Sequence, residues 1–241
     1  MKILIPTAKE LNLLSQTSPH QLSQKSQKIV DTILNHRSIE DLAVFYKISK
    51  EKAQEEYLRL RQLQTGQALA APALDLLNGL MYRNIDRNLS ETEKNYVKKR
   101  VFITSALYGI SNAYDAMAPH RLDFTQMLSI NGKSLKNYWQ KDYDRFLEKQ
   151  GPFISLLSSE FESVFSKKYR EQLIQVQFME NKNGQLKTHA TISKKARGKC
   201  LSQMIKQDIT QVSQLKALTF DGFVYDASLS SPQKLVFIKK V

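Results

Sequence analysis

Between Lys182 and Lys206 the chain carries seven cations, Lys182, Lys187, Lys194, Lys195, Arg197, Lys199 and Lys206, and not one carboxylate. Lysines in such a run act as point charges, and a guanidinium such as that of Arg197 can grip a phosphate through two parallel hydrogen bonds. The centre of the run, Ser193-Lys194-Lys195-Ala196-Arg197-Gly198-Lys199, falls where a strand pattern gives way to a helix pattern. Cationic side chains and the free amides of a starting helix would then face one ligand, and a polyphosphate backbone fits best. A charge run usually means a solvated face. The lack of any acidic residue within the span, beside a glycine, favours an anion site instead.

Other candidates are scattered. Lys9 follows the first strand pattern in a Thr7-Ala8-Lys9 turn, at the kind of sheet edge where open α/β proteins hold ligands. Arg121 and Asp123 lie two apart, close enough to pair with each other, or to form a cleft arginine oriented by a carboxylate. Glu160 follows two serines at a helix start, where a carboxylate complements the helix dipole. Gathered in one cleft, Lys9, Asp123 and Glu160 could also do acid–base work, with Glu160 or Asp123 as general base. His20, His36, His120 and His189 have no metal-ligand spacing, and no P-loop, G-x-G-x-x-G or nucleophile elbow is present. No metal and no cofactor is expected, and binding is favoured over turnover.

The elements that must carry these residues are legible in outline. Lys2–Ile5 reads as a strand, Gln21–Gln64 as helical scaffold with a start at Ser38, Ala68–Met81 as a helix, and Ser90 as the cap of a helix to Arg100. Val101–Ser105 reads as a strand running into the Leu107-Tyr108-Gly109-Ile110 turn, and 133–148 as a helix stopped by Gly151-Pro152. Phe153–Leu157 is a continuous apolar run of the kind found in a buried central strand. Leu173–Met179 and Leu186–Ile192 read as a hairpin around Asn181-Lys182-Asn183-Gly184, followed by a helix from Lys199 to Ile209 and closing strands at 223–225 and 235–238. Strands recur in both halves with no linker between, so residues 1–241 are expected to form a single α/β domain with a mixed central sheet.

Composition narrows the partners. With 41% hydrophobic residues the 241-residue chain can build a core, and a net charge of +13 favours anionic partners such as nucleic acid. A lone cysteine, Cys200, rules out an internal disulfide framework and fits a reducing cytoplasm. The apolar run at the amino terminus is too short for a signal-peptide core, and 68–80 is broken by Pro72 and Asp75. No membrane association and no obligate protein partner is expected.

Taken together, KILIPTAKEL (2–11), LYGISNAYDAMAPHRLDF (107–124), LKNYW (135–139), Ser159–Phe161, KKARG (194–198) and FDGFVY (220–225) resemble the YaaA family of peroxide-stress proteins along the whole chain. The resemblance implies an unusual single α/β domain with a positively charged cleft and a helix-hairpin-helix-like element. It further implies a cytoplasmic hydrogen-peroxide response protein that binds DNA and helps limit free intracellular iron and Fenton damage. DNA would be held with little sequence specificity by Lys9, Arg121, Lys194, Lys195, Arg197 and Lys199, with Tyr108 and Gly109 in the hairpin-like turn. The alternative is an enzyme acting on DNA or nucleotides. The chain departs from the family pattern at Pro6-Thr7, at Asn112-Ala113 and at His120.

Overall fold

The computed structural model describes residues 1–13, 18–148 and 151–240. Its main sheet is built from β1 (Lys2–Pro6), β2 (Val101–Ser105), β3 (Gly109–Asn112), β4 (Phe153–Ser155), β5 (Leu173–Lys182), β6 (Gln185–Lys187), β7 (Phe223–Tyr225) and β8 (Lys234–Lys240). The strand order is β7-β8-β5-β4-β1-β2-β3, with β6 added alongside β5. The five inner strands β8, β5, β4, β1 and β2 run parallel, and β3, β6 and β7 are antiparallel.

Seven of the helices are α1 (Gln24–Asn35), α2 (Ile39–Tyr46), α3 (Lys50–Gln64), α4 (Glu91–Arg100), α5 (Leu135–Leu147), α6 (Ser159–Glu162) and α7 (Ala190–Lys206). They cover both faces of the sheet, and the alternation of strand side chains shows how. On β1, Ile3 and Ile5 join one core with Val97 of α4 and Cys200, Leu201 and Met204 of α7, whereas Leu4 points into a second core with Ile29, Leu60 and Tyr143 from α1, α3 and α5. Ile3, Leu4 and Ile5 are wholly buried, and each contributes about 1.5–3 kcal/mol through removal from water. A strand with a core on either side needs an uninterrupted apolar run, which explains both KILI and the 153–157 stretch. The fold is thus of the α/β class, with a mixed central sheet flanked by helices.

Two helix starts match the sequence expectation through capping boxes, Ser38 with Asp41 and Ser90 with Glu93. Other elements differ. Residues 68–81 do not form one helix: Leu69–Pro72 is a strand and Ala73–Leu76 a single helical turn, because Pro72 disfavours a helical residue before it. The hairpin's second strand stops at Lys187, and α7 begins at Ala190, well before Lys199. Residues 106–108 join β2 and β3, two antiparallel strands that pair from Ser105 and Gly109 onward, so the 107–110 segment belongs to a β-hairpin and not to a turn between two helices. Of the described residues, no helix is long and apolar enough to cross a membrane.

Candidate functional site

In a parallel sheet the crevice at the carboxyl ends of two neighbouring strands opens where the connections leave in opposite directions. Here that point lies between β1 and β4: the chain from β1 passes to β2 on one side, and the chain from β4 passes to β5 and β8 on the other. A cavity of about 590 Å³ opens at this place, floored by Pro6–Glu10 after β1 and by Ser158, Glu160 and Phe161 after β4. Its walls are Gly79–Arg83, Arg121–Asp123, and Ala190, Thr191, Lys194 and Arg197 of α7.

Lys9, Arg121, Lys194 and Arg197, from three distant parts of the chain, therefore line one pocket, together with both carboxylate candidates. Lys195 and Lys199 do not. On a helix turning about 100° per residue, 190, 191, 194 and 197 share a face and 195 and 199 point away. Lys195 is exposed, and Lys199 is engaged by Asp221 at 2.8 Å. The acidic residues missing from the 182–206 stretch are thus partly supplied from elsewhere, since Lys206 also pairs with Asp86 at 2.6 Å.

Because α7 starts at Ala190 behind His189, which makes no side-chain cap bond, the KKARGK segment is mid-helix and its amides are used within the helix. The amides that lack intrahelical acceptors belong to the first turn, and Ala190 and Thr191 of that turn border the pocket. Gly198 has a packing role. A Cβ there would meet the Met81 carbonyl oxygen at 2.1 Å and Asn84 Cβ at 2.8 Å. Only glycine lets α7 lie against the 81–84 turn that forms the opposite wall.

The pocket's charges are mixed: Lys9, Arg83, Arg121, Lys194 and Arg197 face Glu10, Asp123 and Glu160. Lys9 pairs with Asp123, and Arg83 with Glu10. Asp123 does not pair with Arg121; it also accepts from Thr125 N–H at 2.8 Å. Arg121 is positioned through its backbone, whose N–H donates to the buried Glu56 carboxylate of α3 at 2.8 Å. Among the described residues, no carboxylate lies within ion-pair distance of Arg121, Lys194 or Arg197. The Arg197 Nε is buried with no hydrogen-bond partner, and burial pulls its guanidinium below the usual range while Glu162 opposes this. Glu162 is itself fixed by Ser155 Oγ at 2.5 Å and Gln175 Nε2 at 2.7 Å.

Glu160 accepts from Phe124 N–H at 3.1 Å. Burial, then the Asp123 charge, raises its carboxyl above the usual range, against the pull of Lys9. A half-buried carboxyl so perturbed can hold or release a proton at a ligand more readily than an exposed one.

Tyr108 and Gly109 lie away from this cavity. The Tyr108 hydroxyl accepts from Ala118 N–H at 3.1 Å, and its ring packs against His20 and His120. Gly109, at φ +74°, leaves 2.8 Å between an added Cβ and the Trp139 ring. Gly109 is buried and Tyr108 is partly buried with its hydroxyl and ring engaged inside the molecule, so neither is presented to the pocket. His120 is neutral: burial lowers it to about 4. Its Nδ1 faces the Ala118 carbonyl at 3.0 Å and so carries the proton, which makes Nε2 the acceptor for Ser105 Oγ–H at 3.2 Å.

Sequence reading missed Gly79, Tyr82 and Arg83. Gly79 admits Ala8, whose Cβ would lie 2.7 Å from a Cβ at position 79, and Tyr82 donates to the Pro6 carbonyl at 2.7 Å. The Arg83 side chain donates to the Asn78 carbonyl at 2.8 Å. A lone glycine before an apolar pair was the one visible sign of this close approach.

The fold and this pocket define an open-sheet α/β protein with unpaired cations at its topological switch point. The chain belongs to the family described as peroxide stress protein YaaA, whose model matches residues 1–229. It is 49% identical to the UPF0246 proteins of Streptococcus pneumoniae strain CGSP14 and of serotype 19F strain G54, over 100% of both chains in each case.

Proposed function

We propose that the protein serves the peroxide-stress role of its family by binding DNA, receiving phosphate groups in the switch-point pocket. The observation that carries this reading is the convergence of Arg121, Lys194 and Arg197, none with a carboxylate partner among the described residues, on one concave site. The first-turn amides of α7 add a favourable partial positive charge at the same rim, and a net charge of +13 draws polyanions to the whole surface. Phosphate contacts carry no base information, so sequence preference is weak. The site of action is the cytoplasm, where DNA and free iron meet, and protection of DNA from Fenton damage is the physiological outcome we attach to it.

A second reading makes the same pocket catalytic on nucleic acid, with Glu160 as the acid–base group. The raised carboxyl of Glu160 beside Lys9 favours it. Both readings are tested by anisotropy titration of labelled DNA across a salt series, with the DNA recovered afterwards for mass analysis. Lys194→Ala is expected to weaken binding and flatten the salt slope by about one counterion, whereas Lys199→Ala, already paired with Asp221, has a smaller effect. Equal effects of the two substitutions refute the pocket as the site, and chemically altered DNA moves the assignment to the enzyme reading.

A further inference from the structure

A pocket of about 590 Å³ has the size of a small-ligand site. A duplex presents its phosphates on a convex cylinder and can touch only the rim of such a hollow. Arg197 lines the cavity and is only partly exposed, so a group must enter the hollow to meet its guanidinium.

Next to the pocket lies a second groove of about 460 Å³, and the two share Lys9 and Arg121. Its lining sets Val44, Phe45, Tyr46 and Met127 beside Lys47, Thr125, Gln126 and the two shared cations, so it offers apolar side chains that the first pocket's cationic wall lacks. Val44 and Phe45 at the end of α2 line it together with Met127, and Val44 and Met127 are 78% and 91% exposed. Two large apolar side chains this open to water in the lining of one groove offer an apolar partner surface a place to pack. An anion site joined through two shared cations to a groove that offers apolar side chains and polar groups matches the two halves of a nucleotide, phosphate and base.

We propose, building on the DNA-binding reading, that the site takes a single unstacked nucleotide, at a strand end or extruded from a duplex. Its phosphate enters among Arg121, Lys194 and Arg197, and its base lies in the groove lined by Val44 and Met127. Base faces bind apolar and aromatic side chains without regard to sequence, so the preference is for nucleic-acid structure and not for a base.

The test measures affinity of the full chain for three DNAs of one sequence: a blunt duplex, the same duplex with one extrahelical nucleotide, and the single strand. The extrahelical and single-stranded forms are expected to bind about tenfold more tightly than the duplex, a difference of about 1.4 kcal/mol. Met127→Ala, at an exposed position that folding does not depend on, is expected to reduce that ratio about fivefold. Lys194→Ala is expected to bring it towards one. A deoxynucleoside monophosphate that competes away the tight component marks a free nucleotide as sufficient; failure to compete, with the ratio intact, marks the strand as required, and both agree with the assignment. Equal affinity for all three DNAs overturns this inference and leaves the DNA-binding reading standing. No binding to any of them overturns that reading itself.

Discussion

Gly198→Ala separates two roles for the glycine of the KKARGK segment. In an open helix interior this change stabilises by about 1 kcal/mol, because alanine loses less backbone freedom. Here the new methyl would sit 2.1 Å from the Met81 carbonyl oxygen and 2.8 Å from Asn84 Cβ, whereas carbon and oxygen approach comfortably at about 3.3 Å. Helix α7 must therefore shift by about 1 Å, or the 81–84 turn must. Forcing a methyl into a packed interface costs about 1–3 kcal/mol, sometimes more. With the propensity gain subtracted from the upper part of that range, the variant loses about 2 kcal/mol and its Tm falls by about 4–8 °C. The assay is thermal unfolding followed by circular dichroism, paired with DNA titration at a temperature where the variant is folded. A Tm that is unchanged or raised, with DNA affinity lost, refutes the packing argument and returns Gly198 to a direct role at the phosphate.

Glu160→Gln tests the charge balance of the pocket. Wild-type DNA affinity rises as pH falls through the Glu160 titration, the variant lacks that component, and the difference between the two curves isolates the contribution of Glu160. In stability the sign is the same: the folded carboxyl lies above its unfolded value of about 4.3, so its favourable contribution is full below that value and is lost as pH rises through the folded value. Denaturant titrations in acid and at neutral pH should show the variant gaining on wild type as pH rises. Tyr108→Phe leaves the Ala118 amide without its acceptor and should cost about 1–2 kcal/mol in urea unfolding with DNA affinity unchanged; weakened DNA binding by the folded variant contradicts its placement away from the pocket. Cys200 is fully buried and its thiol is raised by burial, so thiol labelling of native protein, and its oxidation by peroxide, should be negligible until denaturant is added.

Much of the frame was readable from residues whose local and tertiary demands agree. Ser38 and Ser90 announce their helices because capping is a local interaction, and 153–157 reads as a central strand because both of its faces need apolar side chains. The site was legible in its members and less so in its geometry. Lys9, Arg121, Asp123, Glu160, Lys194 and Arg197 were named and do share a cavity, but α7 starts at Ala190. Thr188-His189-Ala190-Thr191-Ile192 has the β-branched look of a strand, and what makes its end helical is tertiary: Ser193, Ala196, Cys200 and Met204 are buried at helical spacing against the sheet. That four-residue period was the available signal, and it also separates Lys194 from Lys195. Tyr108 and Gly109 misled for a related reason, since a positive-φ glycine after a strand serves a β-hairpin as well as a phosphate-binding turn. The Arg83–Glu10 pair joins residues far apart in sequence, and nothing local marks it.

The central claim is that phosphate enters the hollow between β1, β4 and the start of α7. A crystal structure of the protein with a short, terminally phosphorylated single strand tests it most directly. Phosphate density is expected within hydrogen-bond distance of Arg121, Lys194 and Arg197. Density confined to the outer face of α7 at Lys195 and Lys199, with the hollow holding only water, would contradict it.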